Sequence, residues 1–340
     1  MSVTPLSVAV LYNAPVLPLG HPDQASEADV VAVADTVAAS LARAGFRVWE
    51  IAAKPPLGDL VRRLSDPRPN VVFNLIEGFA GRSAGESHVA GVLELLGLAY
   101  TGCPPASQGL GHSKSRTKAL LRGFGLPTAQ FLVLRADEAE VGWDGPWPAI
   151  VKPEAEDASL GIEQGSVVEA AEELEQAVKR LRASYPGAVL IEAYLPGREF
   201  NIGMLALPDP AALPIAEIVY DVPADTWPIL TYDAKWAAGS LADRSSVPHC
   251  PAEVAPTLAA ELAELAVAAF RAIGCRDYAR VDFRLDGAGR PMILEVNPNP
   301  DIGPDAGWAR ALRADGLDYD LILAALVNQA WHRVDRGRDA

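Results

Sequence analysis

The sequence "RVDFRLDGAGRPMILEVNPNPD", residues 280–301, consists of two apolar runs separated by a short glycine-containing segment. Residues 286–289 read Asp-Gly-Ala-Gly, and such residues supply the positive φ angles that tight turns between strands need. The segment therefore predicts a β-hairpin with buried strands. After Val296, the second run changes abruptly to amides, prolines and an acid, which marks the end of the strand.

Four polar side chains of this hairpin occur at spacings of two. Arg280 and Asp282 share one face of the first strand. Glu295 and Asn297 share one face of the second strand, so the two pairs can be cross-strand neighbours. Two carboxylates and an amide oxygen suit Mg²⁺, and the arginine adds a positive charge for a phosphoryl group or an oxyanion. The alternative is an arginine–carboxylate network on a solvated sheet face, although the apolar flanks favour a buried strand, where unpaired acids are costly.

Length and composition limit the possible classes of protein. The chain has 340 residues, half of them hydrophobic, which exceeds the usual size of one core and predicts two or three subdomains around a cleft. Its 44 acidic and 29 basic side chains give a formal charge of -15, so nucleic acid is not an expected partner. No apolar run approaches the ~20 residues that cross a bilayer, and the first residues do not resemble a secretion signal. We therefore expect a cytoplasmic protein with no membrane partner.

The first hundred residues alternate apolar runs with helical stretches. The runs "SVAVLY" (7–12), "RVWEI" (47–51) and "NVVFNLI" (70–76) predict strands, and residues 25–45 predict a helix. This order and spacing are typical of a parallel α/β sheet. Beyond a boundary at Pro104, the sequence predicts a basic helix (112–125), a strand (148–153), a helix (167–184), a strand (188–195), a long helix (251–273) and a terminal helix (318–332).

Several charged residues outside the hairpin are ambiguous when each is taken alone. Lys152 closes a strand ahead of a loop with Ser159 and Gly161, where backbone N–H groups can approach an anion. No GxxxxGK[ST] loop occurs, so a nucleotide would be bound in another way. The remaining candidates, which suit a solvated surface as well as a binding site, are Lys114, Glu192, Glu199 and Lys235.

Six blocks, taken in order, carry a family resemblance. They are "LELLGLAYTG", "SKSRTKALLRGFGLPT", "PAIVKP", "VLIEAYLPGREF", "YDAKW" and "RVDFRLDGAGRPMILEVNPNP". Together they resemble the ATP-grasp fold and, most closely, the D-alanine:D-alanine ligase family, over residues 70–335. The resemblance implies an α/β fold of three subdomains: an N-terminal parallel α/β domain (1–102), a central lid domain (103–192) and a C-terminal α+β domain (193–340).

The resemblance also implies a role for each matching residue. ATP would be bound by Lys114, Lys152, Ser159, Glu192, Ala193, Tyr194, Leu195 and Glu199. Two Mg²⁺ ions, with Mn²⁺ as an alternative, would be held by Asp282, Glu295 and Asn297, whereas Arg280 and Lys235 would act on the transferring phosphoryl group. The implied reaction phosphorylates a small-molecule carboxylate, and an amine then displaces phosphate to form an amide. A homodimer is the family expectation.

The sequence departs from this family on the substrate side. The family has Glu-Gly-Ser-Ser in the phosphate loop, whereas residues 156–159 read Glu-Asp-Ala-Ser, and Trp236 replaces the family's lid tyrosine. Glu77 replaces the histidine of the first glycine-rich turn. Asp301 replaces the glycine that follows the metal strand, and the serine expected to receive the acceptor's carboxylate falls near Ala306.

Five residues are therefore candidates for an altered substrate pocket, namely Glu27, Glu77, Trp236, Asp301 and Gly303. The acids would suit a cationic or amine-bearing group and the tryptophan a larger apolar partner, although acids in loops can also be merely solvated. We predict an ATP-dependent carboxylate–amine ligase whose substrates are not two D-alanines. The alternatives are a true D-alanine:D-alanine ligase of peptidoglycan synthesis and an ATP-binding regulatory protein without catalysis.

Overall fold

The computed structural model describes residues 5–16, 24–138, 141–155, 159–236 and 239–338. Within these ranges, the side chains of residues 24–28, 235–236, 241 and 335–338 are outside the description. The described residues form three β-sheets and the helices that cover them.

The strands and helices are numbered in chain order. The strands are β1 (Ser7–Asn13), β2 (Arg47–Ala53), β3 (Val71–Leu75), β4 (Ala99–Tyr100), β5 (Phe131–Leu134), β6 (Ala149–Pro153), β7 (Val167–Val168), β8 (Val189–Ala193), β9 (Glu199–Ala206), β10 (Pro210–Ala212), β11 (Ala216–Tyr220), β12 (Ser246–His249), β13 (Tyr278–Leu285) and β14 (Pro291–Asn297). The helices are α1 (Gln24–Arg43), α2 (Leu57–Ser65), α3 (Gly85–Leu95), α4 (Pro105–Gly111), α5 (Lys114–Gly123), α6 (Ala171–Ser184), α7 (Tyr232–Trp236), α8 (Leu241–Arg244), α9 (Pro256–Ile273), α10 (Gly307–Ala314) and α11 (Tyr319–Arg338).

The first sheet is parallel, with the strand order β2-β1-β3-β4. Val8 and Val10 belong to an apolar core shared with α1 and α11. Ala9 and Leu11 point to the opposite face and belong to a core shared with α2 and α3. Burial on both faces explains why these strands are nearly continuous apolar runs in the sequence.

The central sheet is antiparallel, in the order β5-β8-β6-β7. Helix α6 covers one face, where Val151 and Ile191 are buried against its apolar side chains. Because side chains alternate along a strand, Lys152 and Glu192 point to the other face. That face lines the cavity described below.

The third sheet has the order β12-β11-β9-β13-β14, and β10 pairs with β9. Phe200 and Ile202 of β9 and Val281 and Phe283 of β13 are buried against α9. The intervening polar residues of both strands therefore share the opposite face, which meets the face of the central sheet that carries Glu192.

Two helices carry contacts between distant parts of the chain. Helix α5, which the sequence assigned to the central subdomain, packs against α9 of the third sheet. Helix α11 packs against α1 and β4 of the first sheet. Both helices thus pack against a sheet other than the one of their predicted subdomain. The predicted subdomain boundaries stay a prediction. None of the helices in the described ranges is long and apolar enough to cross a membrane.

Most elements that the sequence predicted are confirmed. The hairpin forms as β13 and β14, with Gly289 at φ 78° in its turn. The helix predicted over 167–184 begins only at Ala171, because residues 167–168 pair with β6 as a strand. The long helix predicted from residue 251 begins at Pro256, where proline suits the first turn. Helix α2, which lies between proline-rich segments, was not predicted.

Candidate active site

The hairpin of β13 and β14 carries the acids at the centre of the site. Arg280 lies opposite Asn297, and Asp282 lies opposite Glu295. The predicted cross-strand arrangement of these four residues is therefore confirmed. The register shifts directly after Asp282, an irregularity of the kind that twists a strand locally and changes the direction of its side chains.

Asp282 is buried and takes part in a dense hydrogen-bond network. Arg280 donates from Nε to Oδ1 at 2.7 Å and from Nη2 to Oδ2 at 2.8 Å. Asn201 on β9 donates to the same Oδ1 at 2.7 Å. Arg280 Nη2 also lies 3.6 Å from Glu295 Oε1. One bidentate guanidinium thus compensates acids that would be costly to bury together. The arginine–carboxylate network considered from the sequence does form, but Asp282 in it faces a cavity and is only 8% exposed.

The donor set of the hairpin fits a divalent cation. Asp282 and Glu295 offer carboxylate oxygens. Asn297 Oδ1 accepts the backbone N–H of Asn299 at 2.9 Å and keeps a second lone pair. Asn297 lines a small recess together with Glu295. Among the described residues, no group of three or more His, Cys, Asp and Glu side chains is suited to a metal, and the proposed set differs in that its third donor is an amide.

A cavity of about 390 Å³ lies between the central and third sheets. The hairpin contributes Arg280, Asp282 and Glu295 to its wall. All eight residues that the sequence predicted as nucleotide-binding line the same cavity: Lys114, Lys152, Ser159, Glu192, Ala193, Tyr194, Leu195 and Glu199. Residues that are ambiguous one at a time are therefore brought together around one space.

Lys114 is the first residue of α5, and the loop after β6 fixes its position. The backbone O of Glu154 accepts the N–H of Lys114 at 3.2 Å. The carboxylate of Glu154 accepts from the hydroxyls of Ser113 at 2.6 Å and Ser115 at 2.5 Å. The start of α5 is thereby bound to the strand that carries Lys152.

Glu192 lies on the wall of the cavity that the central sheet forms, and two lysines surround its carboxylate. Its Oε1 lies 2.6 Å from Lys118 Nζ, and its Oε2 lies 2.9 Å from Lys152 Nζ. Burial alone would raise the pKa of Glu192, but the two ammonium groups outweigh it and lower this pKa to about 2. Burial lowers the pKa of Lys118, and Glu192 opposes that effect. Two cations around one acid leave a positive charge for an anionic ligand.

Lys118 was missed by sequence reasoning because a lysine on a basic helix is usually solvated. Its side chain is only 1% exposed. Its Nζ donates to Thr128 Oγ1 at 2.9 Å, and that hydroxyl donates to the backbone O of Ile293 on β14 at 2.8 Å. The spacing of four from Lys114, which places both lysines on one helix face, was the available signal.

Glu199 also has partners that sequence reasoning missed. Its Oε2 accepts from Tyr220 at 2.8 Å and from Arg284 at 3.3 Å. Burial, followed by the charge of Glu199, raises the pKa of Tyr220, so its hydroxyl remains a donor. Arg284 shares a strand face with Arg280 and Asp282 at spacings of two, and this was the signal for it.

The predicted substrate-side residues Glu77, Asp301 and Gly303 are not in the lining of this cavity. The backbone N–H of Glu77 donates to Asn13 Oδ1 at 3.0 Å, and Asp301 Oδ1 accepts the N–H of Gly303 at 2.7 Å. Glu77 is exposed to solvent, but the surrounding protein limits its hydration. This effect of burial, followed by the negative charges of Asp301 and Glu86, raises the pKa of Glu77 to about 8. Glu77 and Asp301 therefore belong to one acidic region.

The chain after Pro298 joins the hairpin to the first sheet. Asn299 Nδ2 donates to the backbone O of Ile76 at 2.9 Å. Ile302 is buried in the core shared by the first sheet, α1 and α11. Asp301 therefore lies in a segment supported by the first sheet, whereas Glu295 lies on a strand of the third sheet.

Some predicted residues lie outside the described part of the structure. The side chains of Glu27 in α1 and of Lys235 and Trp236 in α7 are outside it. Residues 156–158 of the phosphate loop are outside it as well. The roles assigned to these residues stay predictions.

Comparison with known proteins identifies the family of the chain. The family model described as D-ala D-ala ligase C-terminus matches residues 120–328. An uncharacterized protein of Sinorhizobium fredii, y4sG, is 33% identical over 306 residues and covers 88% of each chain. A D-alanine--D-alanine ligase of Acidiphilium cryptum is 33% identical over 303 residues, covering 88% of this chain and 92% of its own. The chain belongs to the D-alanine–D-alanine ligase family.

Solved structures share the fold. The crystal structure of the D-alanine--D-alanine ligase from Bacillus anthracis complexed with ATP covers 98% of this chain and 99% of its own, with a TM-score of 0.76 and 20% identity. The predicted α/β ATP-grasp fold is confirmed. As a member of this ligase family, the protein is an ATP-dependent ligase that forms carbon–nitrogen bonds and acts on small-molecule substrates.

Proposed function

We propose that this ligase joins a carboxylate to an amine through an acyl phosphate, with release of ADP and phosphate, and that its substrates are not two D-alanines. The observation that carries the reaction is the cavity in which Lys114, Lys152 and Glu199 meet Arg280 and the acids of the hairpin. A polyphosphate nucleotide needs cations and ribose acceptors on one side and a metal-binding hairpin on the other, and this cavity offers both.

The nucleotide roles follow from the partners of each residue. Lys114 and Lys152 line the cavity and would contact the phosphates. Glu192 is shared between Lys152 and Lys118, so one acid offsets only part of the positive charge of these two lysines. The carboxylate of Glu192 is occupied by these lysines, so the adenine contact falls to the backbone after it. The backbone N–H groups of Ala193 and Tyr194 donate to other strands and loops. Of the candidates, the N–H of Leu195 suits the base best, since it donates to no backbone carbonyl of the described residues.

The metal would be held by Asp282, Glu295 and Asn297. We infer two Mg²⁺ ions, with Mn²⁺ as the substitute, because hard oxygen donors are the ligands that these ions prefer. Bound there, the metal would neutralise charge on the phosphate oxygens of ATP. Arg280, which donates to Asp282, would bring its positive charge close to the phosphoryl group.

The protein's own groups contribute position and charge to the reaction. The carboxylate oxygen of the substrate attacks the γ-phosphate, ADP leaves, and the amine then attacks the acyl carbon and displaces phosphate. Arg280 places a fixed positive charge where negative charge develops in both steps. Holding the reactants in line is the main remaining requirement, so no covalent protein nucleophile is needed.

Sequence differences on the substrate side support substrates other than two D-alanines. Trp236 and Ala306 stand where hydroxyl side chains are expected, and Ala306 is the residue at the N-terminus of α10. Glu77 and Asp301 make the region acidic. Such a region suits a substrate with an additional ammonium group, because Glu77 and Asp301 place negative charge together there, although Arg280 and Arg310 offset part of the charge of Asp301.

A true D-alanine:D-alanine ligase is the second candidate, and the 33% identity to the Acidiphilium cryptum enzyme favours it. A non-catalytic ATP-binding protein is not favoured, because Arg280, Asp282, Glu295 and Asn297 are all present on the hairpin. The expected homodimer stays a prediction.

The test is a phosphate-release assay with ATP and Mg²⁺ in which amino acids and amines are supplied in pairs and products are identified by mass spectrometry. We expect turnover with pairs that contain a basic amino acid or a diamine, and little with D-alanine alone. Robust formation of D-alanyl-D-alanine would contradict the proposed specificity but not the proposed reaction. Absence of phosphate release with every pair would contradict the reaction itself.

A further inference from the structure

Three adjacent strands of the third sheet carry a cluster of residues around the carboxylate of Glu199. Glu199 is the first residue of β9, Tyr220 is the last residue of β11, and Arg284 lies on β13. In the strand register, Arg284 is directly opposite Glu199. Both neighbours reach the same oxygen, since the Tyr220 hydroxyl and Arg284 Nη1 donate to Glu199 Oε2.

The two oxygens of Glu199 therefore differ. Among the contacts within the described ranges, both hydrogen bonds to its carboxylate end on Oε2. The residue is buried and lines the cavity. Oε1 is thus the atom that a hydroxyl of a ligand can approach, and its direction depends on how firmly Oε2 is held.

Arg284 is itself fixed from several sides. Nε donates to the backbone O of Gly197 at 3.1 Å, and Nη2 donates to the backbone O of Pro228 at 2.5 Å and to the Tyr194 hydroxyl at 3.2 Å. The guanidinium carbon lies 5.0 Å from the centre of the Tyr194 ring. A buried, planar guanidinium with these partners cannot follow Glu199 if the carboxylate turns, so it defines one orientation.

We propose that Tyr220 and Arg284 are positioning residues that orient Glu199 toward a ribose hydroxyl and thereby give the enzyme a preference for ribonucleotides over deoxyribonucleotides. This inference rests on the proposed function, in which Glu199 contacts the ribose of ATP. A deoxynucleotide would leave the oriented, buried carboxylate without its hydroxyl donor, and an unpaired buried acceptor is what makes such discrimination large.

The decisive variant is Tyr220→Phe, which removes one hydroxyl and little volume. Isothermal titration calorimetry with ATP, 2′-deoxy-ATP and 3′-deoxy-ATP in the presence of Mg²⁺ measures binding without requiring the substrates. We expect the wild type to prefer ATP over at least one deoxynucleotide by about tenfold, the size of one hydrogen bond to a charged group. In Tyr220→Phe the preference should fall to about threefold or less, through weaker binding of ATP and nearly unchanged binding of that deoxynucleotide.

Tyr100→Phe is the matched control, since the Tyr100 hydroxyl also donates to a glutamate, Glu94, at 2.8 Å, and Tyr100 does not line the cavity. It should keep the wild-type preference. Arg284→Lys, which keeps the charge but loses the planar fork, should lower the preference as Tyr220→Phe does; if it does not fold, the tyrosine variant decides.

Three outcomes overturn the inference: a wild type that binds ATP without discrimination, an unchanged preference in Tyr220→Phe, or equal weakening of ATP and deoxynucleotides, which indicates a purely structural role. A wild type that binds no ATP would contradict the proposed function, and with it this inference.

Discussion

The cavity that is proposed to hold the nucleotide is the paired end of the site, because its acids are paired with bases. Glu192 is paired with two lysines, Asp282 with Arg280, and Glu199 with Arg284. The acidic region outside the lining of that cavity is the other end of the site: neither Glu77 nor Asp301 forms an ion pair with a basic side chain in the described part of the chain, although the charges of Arg280 and Arg310 act on Asp301. The paired end can keep its geometry whether or not a ligand is bound, whereas at the other end Glu77 requires a proton or a cation for the same electrostatic relief.

This difference separates two tasks. ATP-dependent formation of a carbon–nitrogen bond is common to the family, and the residues proposed for it are held by partners within the protein. Recognition of a particular substrate would then depend on groups whose charge is left for the ligand. Both ends are open to tests that would break or sharpen this contrast.

The largest effect is expected at the hairpin that is proposed to bind the metal. Glu295→Gln keeps the size of the side chain but removes its charge, so ATP-dependent phosphate release should fall by at least about 100-fold. Glu264→Gln, on an exposed position of α9, is the control and should keep full activity. Unchanged phosphate release in Glu295→Gln would refute the metal assignment.

A second effect, on stability, is expected from the paired end. Lys118→Met leaves Glu192 buried with one lysine instead of two and should lower the free energy of unfolding by about 3 kcal/mol. Urea unfolding followed by circular dichroism measures this change. Lys179→Met removes an exposed pair with Glu175, 3.7 Å apart, and should cost no more than about 0.5 kcal/mol. Similar losses in the two variants would show that burial of the pair is unimportant.

The smallest effect concerns the pH dependence of the unpaired end. The pKa of Glu77 in the folded protein, about 8, lies above its ordinary value of 4.5. The folded state therefore holds this proton more tightly, and the resulting stabilisation is complete below pH 4.5 and is lost as the pH rises through about 8. Between pH 5 and 8.5, the free energy of unfolding of the wild type should decline relative to Glu77→Gln.

Because solvent reaches Glu77, we expect this relative decline to be about 1 kcal/mol or less. Urea unfolding of both proteins at several pH values measures it, with Glu264→Gln as the exposed control. Parallel stability profiles for the wild type and Glu77→Gln would mean that Glu77 is hydrated like a surface acid.

Local patterns explain what the sequence predicted well. Asp282 and Glu295 were found because a hairpin is a local structure, and a spacing of two fixes which side chains share a face. Lys118 and Tyr220 were missed because their partners, Glu192 on β8 and Glu199 on β9, lie on other elements of the fold. Nothing in the neighbouring sequence specifies such a partner before the sheets have formed.

The substrate could not be predicted for a related physical reason. Loop residues such as Asp301 obtain their surroundings from the first sheet, and Glu77 obtains its raised pKa from burial by the surrounding protein and then from acids elsewhere in the chain. A pattern of acids therefore indicates the sign of the charge that a ligand would need. It does not specify the shape of that ligand, which depends on the packing of several loops.

The hydrogen bond from Asn299 to Ile76 has a consequence for protein engineering. It fastens the end of the hairpin to the first sheet, and Ile302 next to it is buried in the core of that sheet. If the residues after Pro298 were replaced by the corresponding loop of a relative, that loop would pack against a first sheet whose residues differ from those of its own protein. Chimeras that aim to exchange substrate preference should therefore carry the segment after β3 together with the segment after β14 as one unit.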